Sequence, residues 1–198
     1  MTNTVKKPWG CEYLLYQNDD VAIWHLFINP YQQTSLHSHP NKKTGLLVLD
    51  GAAKVSFLGS NNKLFYSEKI MIRQGVFHQT TCMTSGVLQL LEIETPVNKE
   101  DIVRLEDSYG RAGSVYMGDS GDYVKQIDLE NDNIGPCNIF YTDLTSDLQF
   151  KNFMITEGSI THMDYEVAGP GDILNYGNMH KLLDKFDLVK TIKGIAVC

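Results

Sequence analysis

Two histidines one residue apart, His37 and His39 in Ser35-Leu36-His37-Ser38-His39-Pro40, are the residues of this chain best placed to do chemistry. A third, His78, closes the segment Arg73-Gln74-Gly75-Val76-Phe77-His78. On a β-strand the side chains at i and i+2 point to one face, so His37 and His39 can converge on a single ion while His78 reaches it from another strand. Imidazole is an ordinary ligand for Zn, Fe, Mn, Ni or Cu. Three neutral ligands leave the ion's full positive charge in place, which suits an anionic substrate or a bound hydroxide. The remaining histidines carry less: His25 lies in an alternating apolar strand and reads as a hydrogen-bonded core or pocket-wall residue, His162 has no partner in the sequence, and His180 reads as a helix surface residue. No Ser/His/Asp or Cys/His nucleophile arrangement is legible, and there is neither a P-loop nor a dinucleotide fingerprint.

The elements that must hold these histidines read as short strands. Residues 12–16, 21–28, 46–49, 52–58, 64–66, 69–72 and 87–93 are candidates, with Gly59-Ser60-Asn61-Asn62 as a hairpin turn. Along 21–28, Val21, Ile23, His25 and Phe27 share one face and Ala22, Trp24, Leu26 and Ile28 the other. Residues 46–49 are apolar throughout, as expected of a strand covered on both sides. Many short strands at close spacing indicate an all-β sandwich or barrel. The polar, glycine-bearing stretch 100–122 marks the boundary, giving a first domain over 1–111 and a β-rich region over 112–198. In the latter, 124–129, 137–144, 150–156, 165–168 and 192–197 read as strands. Met179, Leu182, Leu183 and Phe186, at i, i+3, i+4 and i+7, predict one helix.

Composition narrows the class. The chain has 198 residues, enough to bury a core, and a formal net charge of −7. That balance, with dispersed basic residues, argues against nucleic acid as a partner. No apolar run approaches the roughly 20 residues of a membrane span, and residues 1–8 lack the apolar stretch of a signal peptide. Cys11, Cys82, Cys137 and Cys198 form no Cys-x-x-Cys pair and read as reduced thiols of a cytoplasmic protein.

The first half resembles a cupin, a small double-stranded β-helix or jelly roll. The His37-x-His39 segment running on to Gly51 stands as that family's first motif, and Arg73-Gln74-Gly75-Val76-Phe77-His78 as its second. More closely, residues 7–111 resemble the C-terminal cupin domain of bifunctional (type II) mannose-6-phosphate isomerases. Lys7-Pro8-Trp9-Gly10, Ser35-Leu36, Gly51-Ala52-Ala53-Lys54-Val55 and above all the ending Glu100-Asp101-Ile102-Val103-Arg104-Leu105-Glu106-Asp107-Ser108-Tyr109-Gly110-Arg111 carry it. Thr44 stands where the motif has its metal-ligand carboxylate, Arg73 replaces the proline of the second motif, and His37 stands where those isomerases commonly have Gln. The segment from Gly169 to His180 has the flavour of a second motif, so 112–198 reads either as a degenerate second cupin or as a barrel extension or dimerisation element.

The resemblance implies a divalent transition metal (Zn, Fe, Mn or Ni) on His37, His39 and His78. It implies a small carbohydrate or sugar-phosphate ligand and, as in many cupins, a homodimer. Arg104 and Arg111 would stabilise the substrate phosphate or a developing enediolate; Arg73 and Thr44 would contact substrate, Thr44 facing the metal at a position left to water or ligand. The reaction implied is aldose–ketose isomerisation through a metal-stabilised enediolate, with the acid/base unassigned. Two other readings stand beside it: a non-catalytic carbohydrate-binding or regulatory cupin, and a three-histidine iron dioxygenase.

Overall fold

The computed structural model describes residues 4–112, 119–120, 137–144, 148–183, 185, 187–188 and 191–198. In chain order the strands of the first part are β1 (Thr4–Lys7), β2 (Gly10–Gln17), β3 (Ala22–Ile28), β4 (Leu36–Ser38), β5 (Lys43–Asp50), β6 (Ala53–Phe57), β7 (Asn61–Leu64), β8 (Lys69–Ile72), β9 (His78–Cys82), β10 (Leu88–Thr95) and β11 (Val103–Glu106). They continue as β12 (Asp119–Ser120), β13 (Ile139–Asp143), β14 (Asn152–Glu157), β15 (Ile160–His162), β16 (Tyr165–Ala168), β17 (Ile173–Asn175), the helix α1 (Tyr176–Leu183), β18 (Asp187–Leu188) and β19 (Lys193–Val197).

Two sheets, β12-β1-β2-β3-β10-β5-β8 and β11-β4-β9-β6-β7, form the jelly roll. Period-two alternation fills the space they share: Ala22, Trp24, Leu26 and Ile28 from β3, Leu46 and Val48 from β5, and Leu88 and Leu90 from β10 pack with Val55 and Leu64 of the smaller sheet. The odd phase of the same strands is just as apolar. Val21, Ile23, Leu47, Leu49, Leu91 and Ile93 pack against Met154, Ile173, Ile195 and Val197 of a third sheet, β13-β19-β14-β17. This explains the unbroken apolar run at 46–49, since β5 is buried on both faces. At Gly45 a Cβ would lie 2.9 Å from side-chain atoms of Ile173, Ile93 and Met71, so the bare backbone lets the third sheet close down. The far side of that sheet carries Phe153, Ile155, Leu174 and Ala196, covered by Ile160 and by Met179 of α1. A last sheet, β16-β15-β18, completes the C-terminal region.

The fold is therefore the expected all-β jelly roll with a β-rich C-terminal extension and one short helix. Asn175 caps that helix, its Oδ1 accepting from the Asn178 N–H at 2.8 Å. Met179 is buried on its apolar face, Leu182 and Leu183 are partly buried there, and Phe186 lies outside the described residues, as does the strand expected over 124–129. The hairpin after β6 turns earlier than expected, with Asn61 and Asn62 already paired to Ser56 and Val55. None of the four cysteines pairs with another. Among the described residues, no helix is long and apolar enough to cross a membrane.

Candidate metal centre

The smaller sheet brings the three histidines together. β4 and β9 are antiparallel neighbours in which His37 stands directly opposite His78, and His39 follows one residue past the end of β4. Their ligand nitrogens all lie within 4.8 Å of one another, and all three residues are buried. Each ring is held from behind by a backbone carbonyl. The Nδ1–H of His37 donates to Ser35 O at 2.8 Å, that of His39 to Asp101 O at 2.6 Å, and that of His78 to Val76 O at 3.0 Å. Fixing the proton on Nδ1 leaves each Nε2 lone pair for a ligand, the usual arrangement behind metal-bound histidine. His39 Nε2 is buried with no hydrogen-bond partner.

Asp101 is itself anchored, its carboxylate accepting from both the backbone N–H and the side-chain amide of Asn41 at 2.9 Å. Burial pushes the histidine pKa values down, to about 3 for His39 and well below the usual range for His37. His78 is lowered for the same first cause, and neighbouring cationic groups add to the effect at all three. The rings are thus neutral and ready to ligate at neutral pH. A metal fits this donor set: three imidazoles converge, their tautomers are set, and one donor atom is left buried and unused.

The cluster opens into a cavity of about 70 Å³ between the two jelly-roll sheets. Among the described residues, Lys7, Lys42, Lys99, Arg104 and Arg111 line it together with Glu12, Glu92 and Glu94. Glu12 Oε1 lies 3.6 Å from Lys7 Nζ and 3.2 Å from Lys99 Nζ, and the Lys99 ammonium sits 3.7 Å from the centre of the Trp24 ring. Burial lowers the Lys7 pKa to about 8 against the opposing pull of Glu12. Lys42, only 1% exposed, donates to Glu94 Oε2 at 2.5 Å, and Trp24 Nε1–H donates to Glu94 Oε1 at 3.2 Å.

The structure brings some of the anticipated residues to this cavity and not others. Arg104, buried on β11 opposite His37, lines it. So does Arg111, whose guanidinium is held by Asp107 at 2.7 and 3.2 Å. Tyr109 packs against the core and donates its hydroxyl to Gln32 at 2.8 Å. Thr44 is 1% exposed with its Oγ1 unpartnered; Lys42 and Leu46 on either side of it line the cavity, and Thr44 does not. Arg73 is exposed and lines a separate groove with Asp20, Lys43 and Glu166. His25 is fully buried on the outer face of β3 and bonded to the Tyr13 hydroxyl at 2.6 Å.

Sequence reasoning missed Lys7, Glu12, Lys42, Glu92, Glu94 and Lys99. A signal for two of them was available: Glu92 and Glu94 continue the inward phase of Leu88 and Leu90, placing carboxylates where the alternation demands apolar side chains.

The family model for the mannose-6-phosphate isomerase C-terminal domain matches residues 1–107. Mannose-1-phosphate guanylyltransferases from Sinorhizobium fredii and Escherichia coli are 27% and 28% identical over 106 and 109 residues, 52% and 54% of this chain. The chain spans only 21% and 23% of their lengths. Similar solved structures include a cupin-superfamily sugar phosphate isomerase from Silicibacter pomeroyi (16% identity, 44% of this chain and 59% of that one, TM-score 0.41). The capsular polysaccharide assembling protein CapF from Staphylococcus aureus is similar at 16% identity, over 54% of this chain and 35% of that one, with a TM-score of 0.48.

Proposed function

We propose a metal-dependent role on a sugar phosphate for this chain, which belongs to the mannose-6-phosphate isomerase C-terminal family. The observation that carries the reading is the cavity itself. Three backbone-oriented imidazoles stand in a pocket that five lysine and arginine side chains also line, although the chain as a whole is acidic. A divalent ion on His37, His39 and His78 would supply Lewis acidity toward the sugar's carbonyl and hydroxyl oxygens. Arg104 and Arg111 face the same space and favour an anion there; the planar fork of arginine suits phosphate and enediolate oxygens alike.

Aldose–ketose isomerisation, in which a proton moves between adjacent carbons, is the reaction that this donor set and these cationic side chains support. The C-terminal sheets, whose apolar contacts to β3, β5 and β10 are extensive, serve in this reading as a brace for the barrel wall.

Metal analysis of the purified chain, together with an assay interconverting mannose 6-phosphate and fructose 6-phosphate, tests the proposal. About one transition-metal ion per chain is expected, and His39→Ala with His78→Ala should abolish it while the fold is kept. Unchanged metal content in the double variant refutes the site. One observation favours a second reading: among the described residues, no carboxylate joins the three-histidine cluster, a donor set that also serves iron oxygenases. Oxygen consumption by the Fe(II)-loaded protein, without sugar-phosphate turnover, would select that reading.

A further inference from the structure

We propose that Glu92 is the residue that carries the proton between the two sugar carbons in this cavity, an inference that rests on the isomerase reading above. Among the described residues three carboxylates line the cavity, and two are committed. Glu12 Oε1 is close to both Lys7 and Lys99, and Glu94 is held by Lys42 and by the Trp24 indole. Glu92 accepts no hydrogen bond from any described side chain, lines the cavity, and lies on the inward phase of β10 between Trp24 of β3 and Leu46 of β5. It is 9% exposed, so it meets a ligand in the cavity and little bulk water.

Its surroundings suit the task. Glu94 on its own strand and Glu12 on β2 oppose its ionisation, whereas Lys99 beyond β10 and Lys42 before β5 favour it. Burial is the largest influence, and the result is a carboxyl raised to about 7. A carboxyl at that value exists in both forms at neutral pH, as a group that must take a proton and return it requires.

In the step assigned to it, the Glu92 carboxylate takes the C2 proton of the aldose. The C2–H electron pair becomes the C1=C2 bond, and the carbonyl pair of C1 moves onto O1. Glu92 then returns the proton to C1 as the O2–H pair forms the C2 carbonyl, and the O2 proton ends on O1. Atoms and electrons balance with no further reactant.

The test follows hydrogen exchange between solvent and substrate. The zinc-loaded full chain is incubated in D2O with fructose 6-phosphate, and separately with mannose 6-phosphate, and loss of the C1 or C2 proton signal is followed by NMR. Glu92→Gln should slow exchange by about 10²–10⁴-fold, with zinc content and sugar-phosphate affinity kept; Glu92→Asp should recover part of the rate. Interconversion of the two sugars is read from the same spectra, and Glu92→Gln should slow it by the same factor. Exchange or interconversion retained within tenfold in Glu92→Gln overturns the inference and leaves the isomerase reading standing. Binding of both sugars by the wild-type chain with neither exchange nor interconversion overturns the isomerase reading, and the inference with it. A readout without turnover stands beside these: in the ¹³C-glutamate-labelled apo chain one carboxyl should titrate near neutrality. Absence of any glutamate titrating above about pH 6, where an ordinary carboxyl has long since ionised, also overturns the inference.

Discussion

Thr44 is the position where structure and motif make opposite demands, and Thr44→Val separates them. Its hydroxyl is buried, with no hydrogen-bond partner, on a side chain 1% exposed between Ile72 of β8 and Glu94 of β10. A buried polar group left unsatisfied costs about 1–3 kcal/mol. Valine keeps the branched shape and β-propensity and replaces only the hydroxyl. The variant should therefore be more stable by about 1–2 kcal/mol, taking the lower part of that range because relaxation recovers some of the cost. For a chain of this size each kcal/mol moves Tm by about 2–4 °C, so calorimetry of the metal-free protein should show a rise of roughly 2–8 °C. Zinc affinity should stay within threefold, because Thr44 does not line the cavity. A lower Tm, or a tenfold loss of zinc affinity, would show that the hydroxyl serves the site through a bound water or ligand, as the motif register anticipates.

Three further outcomes follow from the same geometry. Lys42→Met strands Glu94 as a buried charge and should cost about 3–5 kcal/mol, whereas the double variant Lys42→Met/Glu94→Gln should recover most of that loss in a chemical-denaturation cycle; additive losses would show that the two residues do not interact. Arg111→Ala removes a charge-assisted contact worth about 1.5–3 kcal/mol and should weaken mannose 6-phosphate binding by calorimetry ten- to a hundredfold, so unchanged affinity would remove Arg111 from the site. Glu92 sets a pH dependence of stability: its folded pKa is raised from 4.5 to about 7, so the native state holds a proton that the unfolded chain releases. The metal-free protein should accordingly lose stability as pH rises through that window, by at most about 3 kcal/mol, and Glu92→Gln should flatten the curve and melt higher than wild type at pH 8.

The jelly roll and its histidines were legible because both rest on local rules. The two-residue period of strands sorts Ala22, Trp24, Leu26 and Ile28 from Val21 and Ile23 before any contact is known, and the same period sets His37 beside His39. The apolar run at 46–49 also announced a cover on its outer side, although nothing in it identified β14, β17 and β19 as that cover. What stayed hidden depends on pairing between distant strands. Nothing local in Asn41-Lys42-Lys43 separates the two lysines, and only the closed barrel turns Lys42 inward onto Glu94 while leaving Lys43 to meet Asp172 at the surface.

That hidden pair bears on the missing motif carboxylate. Thr44 and Glu94 are direct cross-strand partners, so the loss of an acid on β5 coincides with an acid on β10 at the same level of the barrel. Directly opposed residues in an antiparallel pair have Cβ atoms about 4.5–5.5 Å apart, and like charges there repel. A glutamate at position 44 would confront Glu94 with a single lysine between them, whereas threonine leaves Lys42 and Glu94 a neutral pair. The same substitution that would add an oxygen ligand therefore works against the ion pair already built. Thr44→Glu should bind zinc more tightly only when Glu94→Gln is present as well, and a gain in the single variant equal to that in the double would show that the two carboxyl positions do not share one space.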